Sequence, residues 1–143
     1  MTTTITPAAT VQLFLESMAS GDLETAVDLL DADVEYTNVS LPTLRGARAT
    51  AKVIRGLNNS YAGFAARMVN VATEGDVVLT ERIDELRIGP VRMQFWVIGR
   101  FEVHGGRITV WRDYFDWFDI AKSLVRGLLA IPFPSIQRPL AKA

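Results

Sequence analysis

Apolar positions in this chain recur first at helical and then at strand spacing, and the change comes near residue 64. Thr6 and Pro7 open an amphipathic pattern through Val11, Phe14, Leu15 and Met18, which predicts a helix ending near Ser20 and Gly21. Asp22 caps a second pattern, Leu23, Ala26, Val27 and Leu30, that closes at about Asp31. A short strand over 34–39 follows, then a loop over 40–46, then a third helical pattern through Ala49, Val53, Ile54 and Leu57. From there the chain reads as long strands over 64–73, 77–88, 91–103 and 107–116. They are separated by Glu74-Gly75-Asp76, Gly89-Pro90 and His104-Gly105-Gly106, which are hairpin sequences and make the four strands an antiparallel meander. A last helix over 118–129 leads into a tail whose Pro132, Pro134 and Pro139 stop it from continuing.

Helices gathered first and a curved antiparallel sheet after them predict an α+β layer architecture in which the sheet wraps one end of the helices and encloses a pocket. Val91, Met93, Phe95, Val97, Phe101 and Val103 form one apolar face of the third long strand and suit a cavity wall. Arg92, Gln94, Trp96, Arg100 and Glu102 lie opposite, a face suited to solvent or to a subunit contact.

Composition narrows the function. With 143 residues, 49% of them hydrophobic, the chain has enough apolar mass for one domain spanning 1–143 and too little length for two ordinary ones. Fifteen basic against 16 acidic residues make no electrostatic case for nucleic acid or an anionic membrane as partner. Without cysteine there are no disulfides, thiolate metal sites or cysteine nucleophile, and one histidine argues against a zinc or iron centre. The first residues lack the basic and apolar regions of a secretion signal, so a soluble, cytoplasmic protein is expected, and of the metals only magnesium on carboxylates alone stays open.

Three charges break the pattern. Successive strand side chains alternate between faces, so Arg82 and Asp84 share a mostly apolar file with Val78, Thr80, Leu86 and Ile88. Asp113 lies on one face between Trp111 and Phe115. An ionised group needs water or a partner when buried, and an arginine between two aspartates meets that need if the strands adjoin. Tyr36 and Asn38, also two residues apart, aim a hydroxyl and an amide to one side, and both can hold a water molecule. Asp113 could deprotonate such a water while a protonated Asp84 donates to an oxygen opposite it, which is general acid and base catalysis by two carboxyls in different protonation states.

Taken singly, these residues have plainer explanations: Arg82 with Asp84 as an ion pair on a solvated face, Tyr36 at a rim, Asn38 at a strand end. Arg112 and Tyr114 fall opposite Asp113 and read as sheet surface, Asp116 and Asp119 as helix caps, and His104 as an exposed turn residue.

Tyr36-Thr37-Asn38, Thr80-Glu81-Arg82-Ile83-Asp84 and Trp111-Arg112-Asp113-Tyr114-Phe115-Asp116, in this order around a strand meander, resemble the limonene-1,2-epoxide hydrolase family over almost the whole chain. The resemblance implies a cone-shaped α+β fold with a curved, mixed or antiparallel sheet, of the nuclear transport factor and ketosteroid isomerase type, in a homodimer. It implies one-step epoxide opening without metal or covalent intermediate: Asp113 as base, Tyr36 and Asn38 positioning water, Asp84 as acid and Arg82 as bridge. Met68, Leu86, Met93, Phe95 and Phe115 are then expected to form the wall against a small apolar epoxide, terpene-like or lipid- or steroid-like. Two other functions suit the same pocket: an isomerase, cyclase or dehydratase of this fold, and a non-catalytic module that holds an apolar ligand.

Overall fold

The structure, a computed structural model, describes residues 5–137 and 139–140; the first four residues and the end of the tail lie outside the described residues. Thr6 caps α1 (Pro7–Ser20), its hydroxyl accepting from the Ala9 N–H at 3.1 Å. Gly21, at φ 80°, turns the chain through the left-handed region, and Asp22 caps α2 (Leu23–Asp28) by accepting from the Thr25 N–H. This second helix is shorter than its apolar spacing predicts. Leu30 already belongs to β1 (Leu30–Asn38), where it pairs with Ile108, so tertiary pairing takes over the last apolar position of the helical pattern. The segment after Asn38 holds a two-residue strand, β2 (Leu44–Arg45), which pairs antiparallel with β1 inside what reads as loop; α3 (Ala47–Gly56) follows.

The four long strands are β3 (Ala62–Glu74), β4 (Val77–Ile88), β5 (Val91–His104) and β6 (Arg107–Phe115), joined by the hairpins their glycines predict. Gly105 and Gly106 both have positive φ, 59° and 77°, the conformation that a primed two-residue turn requires. The six strands form one open sheet in the order β2-β1-β6-β5-β4-β3, antiparallel throughout except for β1 beside β6, which run parallel. The α+β class with a mixed sheet is therefore what the chain adopts.

Val11, Phe14, Leu15 and Met18 of α1 pack with Val34, Tyr36, Val78, Phe101, Val103, Ile108 and Trp111 in one core. Each such side chain contributes about 1.5–3 kcal/mol on leaving water, so this layer sets where α1 lies on the sheet.

One half of β5 would be an open edge. From Val97 onward it pairs with β6, whereas its earlier residues pair only with β4. The chain turns at Asp116, which caps α4 (Trp117–Leu129) by accepting from the Phe118 and Asp119 N–H groups, and α4 covers the exposed edge. Asp119 accepts from the Trp96 N–H at 2.9 Å, Arg126 donates to the Gln94 carbonyl at 3.3 Å, and Gln137 donates to the Arg92 carbonyl at 2.8 Å. Side chains thus replace a seventh strand along this edge. The proline-bearing tail contributes a short 3-10 turn, Pro134–Ile136, just before Gln137.

Candidate active site

Strand register brings the five polar residues together. The parallel β1–β6 pair sets Tyr36 beside Trp111 and Asn38 beside Asp113. The antiparallel β5–β6 pair sets Gly99 opposite Asp113, and the β4–β5 pair sets Gly99 opposite Thr80, one pleat from Arg82. Asp113 and Arg82, 31 residues apart in sequence, meet across β5 for this reason.

Arg82 is the largest fully buried side chain in the protein, at 1% exposure. Its Nε and Nη2 donate to the two oxygens of Asp84 at 2.9 and 2.8 Å, Nη2 also donates to Asp113 Oδ2 at 3.1 Å, and Nη1 donates to the Thr80 hydroxyl at 3.2 Å. The fork binds Asp84 bidentately and Asp113 through one shared nitrogen. Burial alone would lower the guanidinium's pKa, but the charges of Asp113 and Asp84 outweigh it and keep Arg82 protonated above the usual arginine range. A guanidinium occupies the space between the two carboxylates, and no group of three His, Asp or Glu among the described residues is placed to hold a metal ion.

Room for this fork comes from Gly99. A Cβ there would lie 2.5 Å from Arg82 Nη1, 2.6 Å from Thr80 Oγ1 and 2.9 Å from the Phe101 ring. In the sequence Gly99 interrupts the apolar file between Val97 and Phe101, and a glycine inside a strand pattern marks close approach by another group.

Burial pushes the Asp113 carboxyl above the usual aspartate range; Arg82 opposes this and the Asp84 charge adds to it. Its Oδ1 is buried without a protein hydrogen-bond partner. Burial, and then the Asp113 charge, push Tyr36 well above the usual tyrosine range, so its hydroxyl keeps its proton. Asn38 Nδ2 donates to that hydroxyl at 2.9 Å, and Asn38 Oδ1 lies 3.2 Å from it. The Tyr36 ring stacks on Trp111 with centroids 4.0 Å apart, which fixes the hydroxyl's position.

Tyr36, Asn38, Asp84 and Asp113 line the polar end of a cavity of about 310 Å³ whose remaining wall includes Leu86, Met93, Phe95 and Phe115, as the strand alternation predicts. Met68 is a correction. It sits level with Arg82 in the β3–β4 register, beside a bulge between Met68 and Asn70, and packs half-buried against the core; β3 meets the cavity at Phe64 instead. Helices and a loop complete the wall with Met18, Leu41, Val53, Leu57, Trp117 and Ile120. Leu41 and Trp117 are about half exposed, at 54% and 46%, and so form the mouth. Ser40, at φ 84°, bends the chain so that Leu41 reaches it. Periodicity puts Met18, Val53 and Leu57 on apolar helix faces but does not assign any of these residues to the cavity, because their approach depends on how the helices dock. Arg112 and Tyr114 lie outside the cavity lining and Asp116 caps α4, as expected, whereas Asp119 caps the open edge of β5 rather than a helix. His104, the last residue of β5 before the hairpin turn, is half-exposed and lies 3.3 Å from Asp76.

Comparison with known proteins agrees with this geometry. Residues 5–126 match the family described as limonene-1,2-epoxide hydrolase catalytic domain. Epoxide hydrolase EphG of Mycobacterium tuberculosis (strain ATCC 25618 / H37Rv) is 45% identical over 130 residues, which cover 91% of this chain and 87% of that protein. A solved M. tuberculosis LEH-like epoxide hydrolase superposes with a TM-score of 0.89 at 43% identity, over 94% of this chain and 95% of the other. A protein of ketosteroid isomerase-like fold from Catenulispora acidiphila DSM 44928 superposes with a TM-score of 0.73 at 15% identity, over 85% of this chain and 95% of the other, and shares the fold alone. The chain therefore belongs to the limonene-1,2-epoxide hydrolase family.

Proposed function

We propose that this epoxide hydrolase converts a small apolar epoxide, terpene-like or lipid- or steroid-like, to a vicinal diol in one step, with Asp113 as base and Asp84 as acid. The observation that carries the reading is one arginine held between two buried carboxylates at the polar end of an otherwise apolar cavity. A neutral substrate with a hydrocarbon body fits the wall, and its oxygen belongs at the polar end.

In this mechanism Tyr36, Asn38 and Asp113 hold a water molecule. Asp113 takes one of its protons as the water oxygen forms a bond to an epoxide carbon. The carbon–oxygen bond of the ring breaks, and the released oxygen takes the proton of Asp84. Arg82 holds both carboxyls in place and compensates their charge throughout. Acid and base assistance each contribute about 10² to 10⁴ in rate. No cofactor is needed for this balance.

The volume of the cavity, about 310 Å³, is at the small end for ligand sites and favours a compact substrate body. Incubation with a panel of terpene, fatty-acid and sterol epoxides in ¹⁸O water tests the proposal: diol carrying one solvent oxygen is expected from at least one of them. No diol from any, with the protein shown to be folded, rejects it.

We also propose that the protein works as a homodimer. Trp96 and Tyr114 are exposed on the outer sheet face at 41% and 38%, and Phe118, Val125 and Leu129 line an apolar groove of about 470 Å³ outside α4. Apolar surface of this kind favours a subunit contact over solvent. Sedimentation equilibrium should return the mass of two chains, and the mass of one chain at micromolar concentration rejects the dimer.

A further inference from the structure

Trp111 Nε1 and Asp113 Oδ1, one a donor and the other an acceptor, are buried with no third group of the protein bonded to either, on residues that are 3% and 4% exposed, and the Trp111 side chain acts on the Asp113 carboxyl in the direction of a hydrogen bond. Both residues point to the same face of β6, two positions apart, and both line the cavity.

The indole of Trp111 is held by three rings. One face stacks on Tyr36 at 4.0 Å, the plane of Phe101 lies within 11° of its own at 6.3 Å, and Phe14 meets it edge-on at 5.0 Å. A phenylalanine ring would keep the stacking on Tyr36 in part, with a smaller contact area. What phenylalanine lacks besides that area is the N–H, a group that costs free energy to bury unless something accepts from it.

We propose that Trp111 is a positioning residue whose Nε1–H serves the Asp113 carboxylate, directly or through the water held there, as a second donor beside Arg82. Arg82 takes Oδ2 from one side. The indole dipole favours the ionised carboxylate and, like Arg82, works against burial, so it keeps Asp113 able to accept a proton. Trp111 thereby has two tasks in one side chain: its face sets Tyr36, and its edge sets Asp113. The inference rests on Asp113 as the base, and its role in the reaction is to hold Oδ1 toward the water whose O–H bond breaks when Oδ1 takes the proton.

Two measurements test it. In ¹⁵N-labelled wild-type protein without substrate, the Trp111 indole N–H resonance, assigned by its loss in Trp111→Phe or by through-space contacts to Tyr36, should shift with pH along the ionisation of Asp113. That shift should vanish in Asp113→Asn. A Trp111 resonance that does not move while Asp113 titrates overturns the proposal, whether or not the protein turns over epoxides. In Trp111→Phe, the acid limb of the kcat/KM profile should move to higher pH, and kcat should fall about tenfold, the factor carried by loss of one hydrogen bond, with KM within about twofold. An unmoved acid limb with unchanged kcat overturns it as well. If Trp111→Phe does not fold, the titration in the wild-type protein decides.

Discussion

Asn38 lies directly beside Asp113 because β1 and β6 run parallel, and the Val39 N–H donates to the Asp113 carbonyl at 2.9 Å. The amide proposed to hold water and the carboxylate proposed to deprotonate it are thus neighbours across one strand pair, with backbone bonds rather than long side chains setting their separation. Replacing Asp113 by Asn keeps shape and volume but removes the proposed base. Turnover should fall by at least about 10² to 10⁴. Because burial raises the carboxyl's pKa, the stability linked to it is present below the ordinary aspartate range and lost as pH rises through the raised value, a loss that an uncharged amide does not suffer. Asp113→Asn should therefore melt no lower than wild type at pH 7, and calorimetry with steady-state kinetics checks both statements. A folded, fully active variant would refute the assignment.

Gly99 controls how close Arg82 can come. Gly99→Ala places a methyl 2.5 Å from Nη1 and 2.6 Å from the Thr80 hydroxyl that Nη1 bonds, so the guanidinium must shift and its alignment on the two carboxylates shifts with it. A loss of about 1–3 kcal/mol in stability and a larger fractional drop in kcat than in KM are expected. Chemical denaturation and kinetics would show it; unchanged values of both would mean that Arg82 relaxes at no cost.

The pH profile follows from the sign of the Asp113 shift. The base must be ionised to act, and burial makes ionisation harder, so the acid limb of kcat/KM should lie above the ordinary aspartate value of about 3.9. Tyr36 is shifted upward too, so no alkaline limb from this hydroxyl should appear near pH 10, where an ordinary tyrosine titrates. Kinetics in buffers of constant ionic strength across this range would test both limbs.

Phe95 and Phe115 face each other across the cavity wall with ring centroids 6.0 Å apart, while Met68 lies outside it. Phe95→Leu should shift preference toward bulkier epoxides, measured as a ratio of kcat/KM values between a large and a small substrate. Met68→Ala should leave that ratio unchanged and cost roughly 1–3 kcal/mol of stability, less than a fully buried site because Met68 is half-buried. A selectivity change in Met68→Ala would return that residue to the substrate wall.

Local chemistry along the chain determined a good deal of this protein. Thr6, Asp22 and Asp116 cap helices by satisfying N–H groups within three residues, the paired glycines at 105 and 106 make a tight hairpin, and two-residue alternation in 77–88 and 91–103 sorts the faces of β4 and β5. The same alternation marked Arg82, Asp84 and Asp113 as charges out of place, and the structure joins all three. Each of these signals acts over a few residues, which is why it survives in sequence.

Tertiary structure alone decided what depends on distant segments meeting. The parallel seating of β1 on β6 puts Tyr36 on Trp111 and Asn38 by Asp113, and no local period encodes a partner more than 70 residues away. The same pairing converts Leu30 from a helical to a strand position. The bulge after Met68 and the docking of α4 on the open edge of β5 then choose the wall, leaving out Met68 and bringing in Trp117 and Ile120. The chemistry of the site rests on residue types that strand alternation exposes, whereas the shape of the cavity rests on packing between elements, where a shift of one side chain changes which residue a substrate touches.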